Sequence, residues 1–127
     1  MFSHVVVGSN DLERSQRFYD AVFAAIGGPA GLVDEKRRLV YRKDGRVFLV
    51  TAPIDGQQAC HANGGTIGFV IDSVQAVEAW QQAAVAHGGT AVEDPPGVRE
   101  APGRQMYLAY VRDPDGNKLC GLHMLAP

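Results

Sequence analysis

The chain has 127 residues, of which 46% are hydrophobic, with 12 Lys and Arg against 14 Asp and Glu for a net charge of -2. That is enough for one well-buried core without forcing a second domain, and a near-balanced charge with no basic or acidic tail argues against nucleic acid or a membrane surface as partner. The N-terminus lacks a basic signal-peptide region, no run approaches the roughly 20 apolar residues of a membrane span, and Cys60 and Cys120 form no CxxC pair, so a cytoplasmic protein with reduced thiols is expected.

The first segment, "HVVVGS", reads as a buried strand. Asn10 followed by Glu13 resembles a capping box, so a helix is expected from about residue 11 to 26. Leu12, Tyr19, Val22, Phe23 and Ile26 lie on one face, and Gly27-Gly28 forms the stop. "GLVD" is a candidate short strand. "RLVYRKDGRVFLVTA" carries two β-rich runs around Asp44-Gly45, a dipeptide suited to a two-residue hairpin turn.

The second half repeats this order. "TIGFVID" is a strand, and Asp72 or Ser73 caps a helix striped by Val74, Val77, Trp80, Ala84 and Val85 that ends at Gly88-Gly89. "EDPPGVREAPGR" is expected to be an irregular loop. A second hairpin, "QMYLAYVRD" and "KLCGLHML", follows around Asp115-Gly116. A shift of 62 superposes His4 on Thr66 and Phe18 on Trp80, while a shift of 71 superposes Asp44-Gly45 on Asp115-Gly116 and Leu49 on Cys120. The expectation is one α+β domain over residues 1–127 made of two βαβββ modules, 1–56 and 64–127, joined by linker 57–63. Each module is too small to bury both sheet faces alone, so they should close on each other or on a second subunit.

With this repeat, "HVVVGSNDLERSQRFYDAV" and "DPDGNKL" make the sequence resemble the vicinal-oxygen-chelate superfamily, which includes glyoxalase I, extradiol dioxygenases, methylmalonyl-CoA epimerase, fosfomycin resistance enzymes and bleomycin-binding proteins. The carriers are Asp11, Ser15, Phe18 and Tyr19, together with "DPDGN". The resemblance implies a curved, barrel-like mixed sheet with helices outside, a homodimer, and a ligand cup lined by the first and last strands of each module. In metal-using members those strands supply His or carboxylate ligands; the matching positions here are His4, Leu49, Thr66 and Cys120. Leucine cannot ligate, and a threonine hydroxyl is a poor substitute for imidazole. Thiolate binds zinc, at about 2.3 Å, but one His and one Cys fall short of the usual three ligands. No metal or other cofactor is therefore expected, unless Cys60 or His61 swings a donor into the cup.

His4 and Cys120 are the candidate catalytic residues. His4 is weighed as proton acceptor or ligand against a histidine merely hydrogen-bonded in the cup, and Cys120 as nucleophile against a small buried hydrophobe. Thr51, Thr66, Tyr107, Arg42, Leu49 and Leu122 are the candidate ligand-binding residues. Arg42 belongs to the basic run Lys36 to Lys43, which is either a solvated edge or a rim for an anion. Tyr107 and Tyr110 lie on opposite strand faces, and Tyr107 is chosen for the cup. His87 is expected to serve the carbonyl end of the second helix, His123 to pack on the face opposite Cys120, and Arg99 and Glu100 to be a lid contact or plain solvated charges. The expected function is binding of a small, partly apolar molecule in a cup with a degenerate metal site, the molecule being anionic if the Arg42 run is a rim and not a solvated edge. The alternatives are a metal-dependent lyase, isomerase or dioxygenase with an unusual site, and a sequestering protein that performs no reaction.

Overall fold

The computed structural model describes residues 1–126, so Pro127, the last residue of the expected second module, lies outside the described residues. The first module comprises β1 (His4–Gly8), α1 (Leu12–Ala24), β2 (Leu32–Val33), β3 (Leu39–Lys43) and β4 (Arg46–Thr51). The second comprises β5 (Ile67–Val70), α2 (Val74–Ala86), β6 (Thr90–Ala101), β7 (Arg104–Arg112) and β8 (Lys118–Ala126). Each module forms a four-stranded mixed sheet, ordered β1-β4-β3-β2 and β5-β8-β7-β6, with the first strand parallel to the last.

The pairing register bears out the internal repeat. Val6 pairs with Leu49, which pairs with Val40; Gly68 pairs with Cys120, which pairs with Tyr110. Leu49 and Cys120 therefore hold the same lattice position in their two sheets. Both expected hairpins form. Asp44 and Gly45 have φ of 53° and 75°, the backbone sign that a two-residue primed turn needs.

The helix ends follow local chemistry. Asp11, not Asn10, caps α1, its carboxylate accepting from Arg14 N at 3.0 Å. Asn10 is drawn off to the segment between the modules, where its Oδ1 accepts from Ala59 N at 2.7 Å and its Nδ2 donates to Ala59 O at 3.3 Å. Ser73 caps α2 by accepting from Ala76 N at 3.0 Å. Gly27 and Gly88, with φ of 76° and 97°, end the two helices as expected.

The segment expected to be an irregular loop is largely strand. β6 runs on through it and pairs with β7 on both sides of a wide irregularity, in which Glu93 to Pro96 face the single residue Ala109. Pro95 and Pro96 sit inside this bulge, where no ladder bond is asked of their nitrogens, so they do not break the strand.

One core serves both modules. Phe18, Tyr19, Phe23, Tyr41 and Phe48 from the first half pack with Ile71, Val77, Trp80, Val111 and Leu119 from the second. Trp80 is seated on a deliberate gap: a Cβ on Gly121 would lie 2.8 Å from its ring and 2.7 Å from Ile71 Cδ1.

A polar latch joins the modules at one end. Asp115 accepts from Asn10 N at 2.9 Å, Arg14 Nη2 at 2.7 Å and Ser15 Oγ at 3.3 Å. Ser15 also shares a 2.6 Å bond with Ser9. Asn117 Nδ2 donates to Gly8 O at 3.1 Å, and the fully buried Tyr19 donates to Asp113 at 2.6 Å. The two motif segments that carried the resemblance, about a hundred positions apart, are thus two halves of one fastening.

Candidate functional site

Each sheet turns one face to the helices and leaves the other free. The helix-side rows hold Val7, Tyr41, Phe48 and Val50 in one sheet and Ile71, Ala109, Val111 and Leu119 in the other, all in the core. Strand alternation then fixes the free faces, which form the candidate cup surfaces. In the first module they carry His4, Val6, Val47, Leu49, Thr51, Val40 and Arg42, with His4, Val47 and Arg42 in one cross-strand row. In the second they carry Gly68, Val70, Cys120, Leu122, Leu108 and Tyr110.

Of the residues singled out from sequence, His4, Thr51, Arg42, Leu49, Cys120 and Leu122 occupy these faces. Thr66 lies one position before β5 and is exposed. His4 is the exposed first residue of β1, its Nδ1 2.7 Å from Ser3 Oγ. Thr51 Oγ1 donates to Ala52 O at 3.3 Å.

Tyr107 is displaced from its expected place. It pairs with His123 on the helix side of the sheet and donates to Glu78 of α2 at 2.9 Å, so Tyr110, in register with Cys120, is the tyrosine on the cup face. The choice between them turns on strand parity, which the β7–β8 register decides. His123 sits opposite Cys120 as expected, donating from Nδ1 to Ile71 O at 2.9 Å, and His87 lies 2.8 Å from Ala83 O at the end of α2.

Around Cys120 the structure gathers groups that sequence reasoning passed over. Lys118 lies 4.8 Å from the Tyr110 ring centroid and forms an ion pair with Glu93. Glu93 comes from the β6 bulge with φ of 60°, and nothing in local sequence pattern signals that approach. Cys120 is buried, and desolvation pushes its thiol pKa up; Tyr110, Lys118 and Arg99 pull the other way more weakly. Such a thiol stays protonated at neutral pH and is a poor nucleophile.

Cys60 is exposed, and His61 rests its Cβ 3.5 Å from where a side chain on Gly116 would begin, against the Asp113–Asn117 turn. Among the described residues no three His, Cys, Asp or Glu side chains come together as a metal-holding group. No helix among them is long and apolar enough to cross a membrane.

Comparison with known families is decisive at the family level. The model for the Glyoxalase/Bleomycin resistance protein/Dioxygenase superfamily matches residues 1–120. The chain belongs to this superfamily. A glyoxalase/bleomycin resistance protein from Albidiferax ferrireducens T118 is 48% identical, with a TM-score of 0.92 over 96% of this chain and 98% of that one. A superfamily enzyme from Burkholderia phytofirmans PsJN (18% identity, TM-score 0.72, 97% and 98% coverage) shares the fold. So does a lactoylglutathione lyase from Agrobacterium tumefaciens (19% identity, TM-score 0.66, 97% and 92% coverage). No curated protein matches the chain.

Proposed function

We propose that this superfamily member binds a small, partly apolar molecule on its cup faces without a transition metal, and that a second copy of the chain covers those faces in a homodimer. The observation that carries the reading is the donor set at the four matched positions: only His4 and Cys120 bear good transition-metal donors, beside a leucine and a threonine hydroxyl. Two donors from one pair of modules leave a catalytic site short whichever copies supply them.

The rest of the surface suits apolar binding. Val6, Leu32, Val70 and Met124 stand on the cup-side rows at 48%, 71%, 83% and 45% exposure, a load of apolar surface that a ligand and a partner subunit would remove from water. Arg42, beside Val47 in the His4 row, supplies a cation for an anionic group. His4 and the hydroxyls of Thr51 and Thr66 supply polar points. Any proton transfer on a cup face would fall to His4, the one imidazole on either face among the described residues. The localisation that agrees with reduced, unpaired Cys60 and Cys120 is cytoplasmic.

The test is metal analysis of the purified protein, followed by thermal-shift screening against divalent metals, glutathione conjugates and antibiotics, with sedimentation to read the assembly. The expected result is a dimer with no stoichiometric, chelator-removable metal, stabilised by an organic ligand in a way that Leu49→Glu abolishes. One tightly held metal per chain, bound by three or more protein atoms, overturns it.

A further inference from the structure

The latch at one end of the module junction has no counterpart at the other. By the repeat shifts of 71 and 62, Asp115 corresponds to Asp44 and Asn117 to Arg46, while Ser9, Ser15 and Tyr19 correspond to Ile71, Val77 and Gln81. The chemistry is not repeated. Ile71 and Val77 are buried apolar residues, and Gln81 donates to Tyr110 O within its own module at 3.4 Å. The β3–β4 hairpin makes no hydrogen bond to the second module among the described residues; Lys43 donates to Ile26 O and Arg46 to Gly45 O, each at a long 3.4 Å.

What replaces the latch is a cavity of about 300 Å³ between the C-terminal end of α1, the β3–β4 hairpin and β5. Its inner wall is aromatic. The Phe69 ring stands edge-on to Phe23 and Phe48, with centroids 5.4 and 5.5 Å apart, and is only partly covered. Lys43 and Arg46 flank the mouth with Asp44 between them, for a local charge of one positive unit. Both cations are exposed, and neither belongs to an ion pair among the described residues. Val47, Gly68 and Val70, at the edge of the cup faces, reach this space, but none of His4, Leu49, Thr66 and Cys120 lines it.

We propose that the open junction is a second binding site, adjoining the edge of the cup but away from its four matched positions, for a small amphipathic anion. The ligand class is an aliphatic or aromatic carboxylate whose apolar end lies against Phe23, Phe48 and Phe69 and whose carboxylate meets Lys43 and Arg46. The volume falls at the small end of the range for ligand pockets, which limits the guest to a short chain or a single ring system. The aromatic wall gives apolar contact without a buried polar group to satisfy, and an arginine and a lysine at the mouth give the carboxylate charge-assisted hydrogen bonds. Binding here would also join the two modules at the end where the protein's own polar groups do not.

Octanoate titrated into the full chain, followed by calorimetry and by backbone amide NMR, tests this, with 1-octanol as the neutral comparison. Saturable octanoate binding is expected, with the largest shifts at Val5, Ile67 and Phe69. The exposed double substitution Lys43→Glu/Arg46→Glu should weaken octanoate at least tenfold and leave octanol unchanged. The proposal is overturned by an absence of saturable binding, including one caused by a second copy covering the junction. Octanoate affinity indifferent to the charge reversal would overturn it too, as would shifts confined to Leu49, Cys120 and Leu122. The last outcome would place the ligand in the cup and leave the reading of that site standing.

Discussion

Replacing Asp113 by alanine should cost this protein a large part of its stability, although the residue lies on a turn and touches neither cup face. Its carboxylate is buried and accepts four hydrogen bonds: from Tyr19 OH at 2.6 Å, Asn117 N at 2.9 Å, Asn117 Nδ2 at 2.8 Å and Asp115 N at 2.9 Å. Tyr19 and Asn117 are buried as well, so Asp113→Ala strands the tyrosine hydroxyl and the Asn117 amide where water has little access. Asn117 Nδ2 keeps Gly8 O as a partner. Two stranded donors at about 1–3 kcal/mol each put the expected loss near 4 kcal/mol. For a chain of this size that corresponds to a fall in Tm of roughly 15 °C. Asp113→Asn, which keeps the shape but offers an amide to a donor, should lose about half as much. Tyr19→Phe should lose about 1–2 kcal/mol, and the double variant should show a coupling of similar size. Urea unfolding read by linear extrapolation measures all four corners of this cycle. An Asp113→Ala loss under 1 kcal/mol, or a coupling near zero, would refute the claim that the "DPDGN" turn works as a fastening.

Alkaline pH should act through the tyrosines. Burial raises the Tyr19 and Tyr41 pKa values, and the carboxylates of Asp113 and Asp20 push further in the same direction. A folded-state pKa above the unfolded value of about 10 means full stability below that pH and a decline above it; the urea midpoint should fall beyond about pH 10, less steeply in Tyr41→Phe, and an unchanged slope in that variant would argue otherwise. Exposed Cys60 should react with iodoacetamide much faster than buried Cys120, whose thiol is held protonated; peptide mapping that found equal labelling would contradict the assigned environment. The triple substitution Leu49→Glu, Thr66→His and Cys120→Glu should create affinity for a divalent metal, read by calorimetry, because it restores four oxygen and nitrogen donors at the matched positions. No gain in binding would count against the registry of those positions with the metal-using members.

Much of the architecture can be read directly from the chain. Hydrophobic periods of 3.6 and 2, glycine stops after both helices and the Asp44-Gly45 turn are local signals, each set by the conformational limits of a few neighbouring residues. They suffice for two βαβββ units, and the same spacing places Leu49 opposite Cys120 in the repeat, a match the strand register reproduces. The expectations that went astray depend on partners far along the chain. Asn10 looks like a helix cap until Ala59 competes for its side chain, and two prolines look like a strand break until a bulge accommodates them. Tyr107 and Tyr110 have the same local sequence claim on the cup, and only sheet parity separates them.

The chain alone therefore determined which segments become helix and strand, how the halves correspond, and which residue types stand at the repeat-matched positions, because backbone propensity and residue identity are properties of short stretches. Tertiary structure decided the rest: that Ser15, Tyr19, Asp113, Asp115 and Asn117 form one latch, that Cys120 is buried beside Tyr110 and Lys118, and that the opposite junction stays open. Those outcomes depend on distances between residues a hundred positions apart and on how much water reaches them, and neither quantity exists until the two modules have packed.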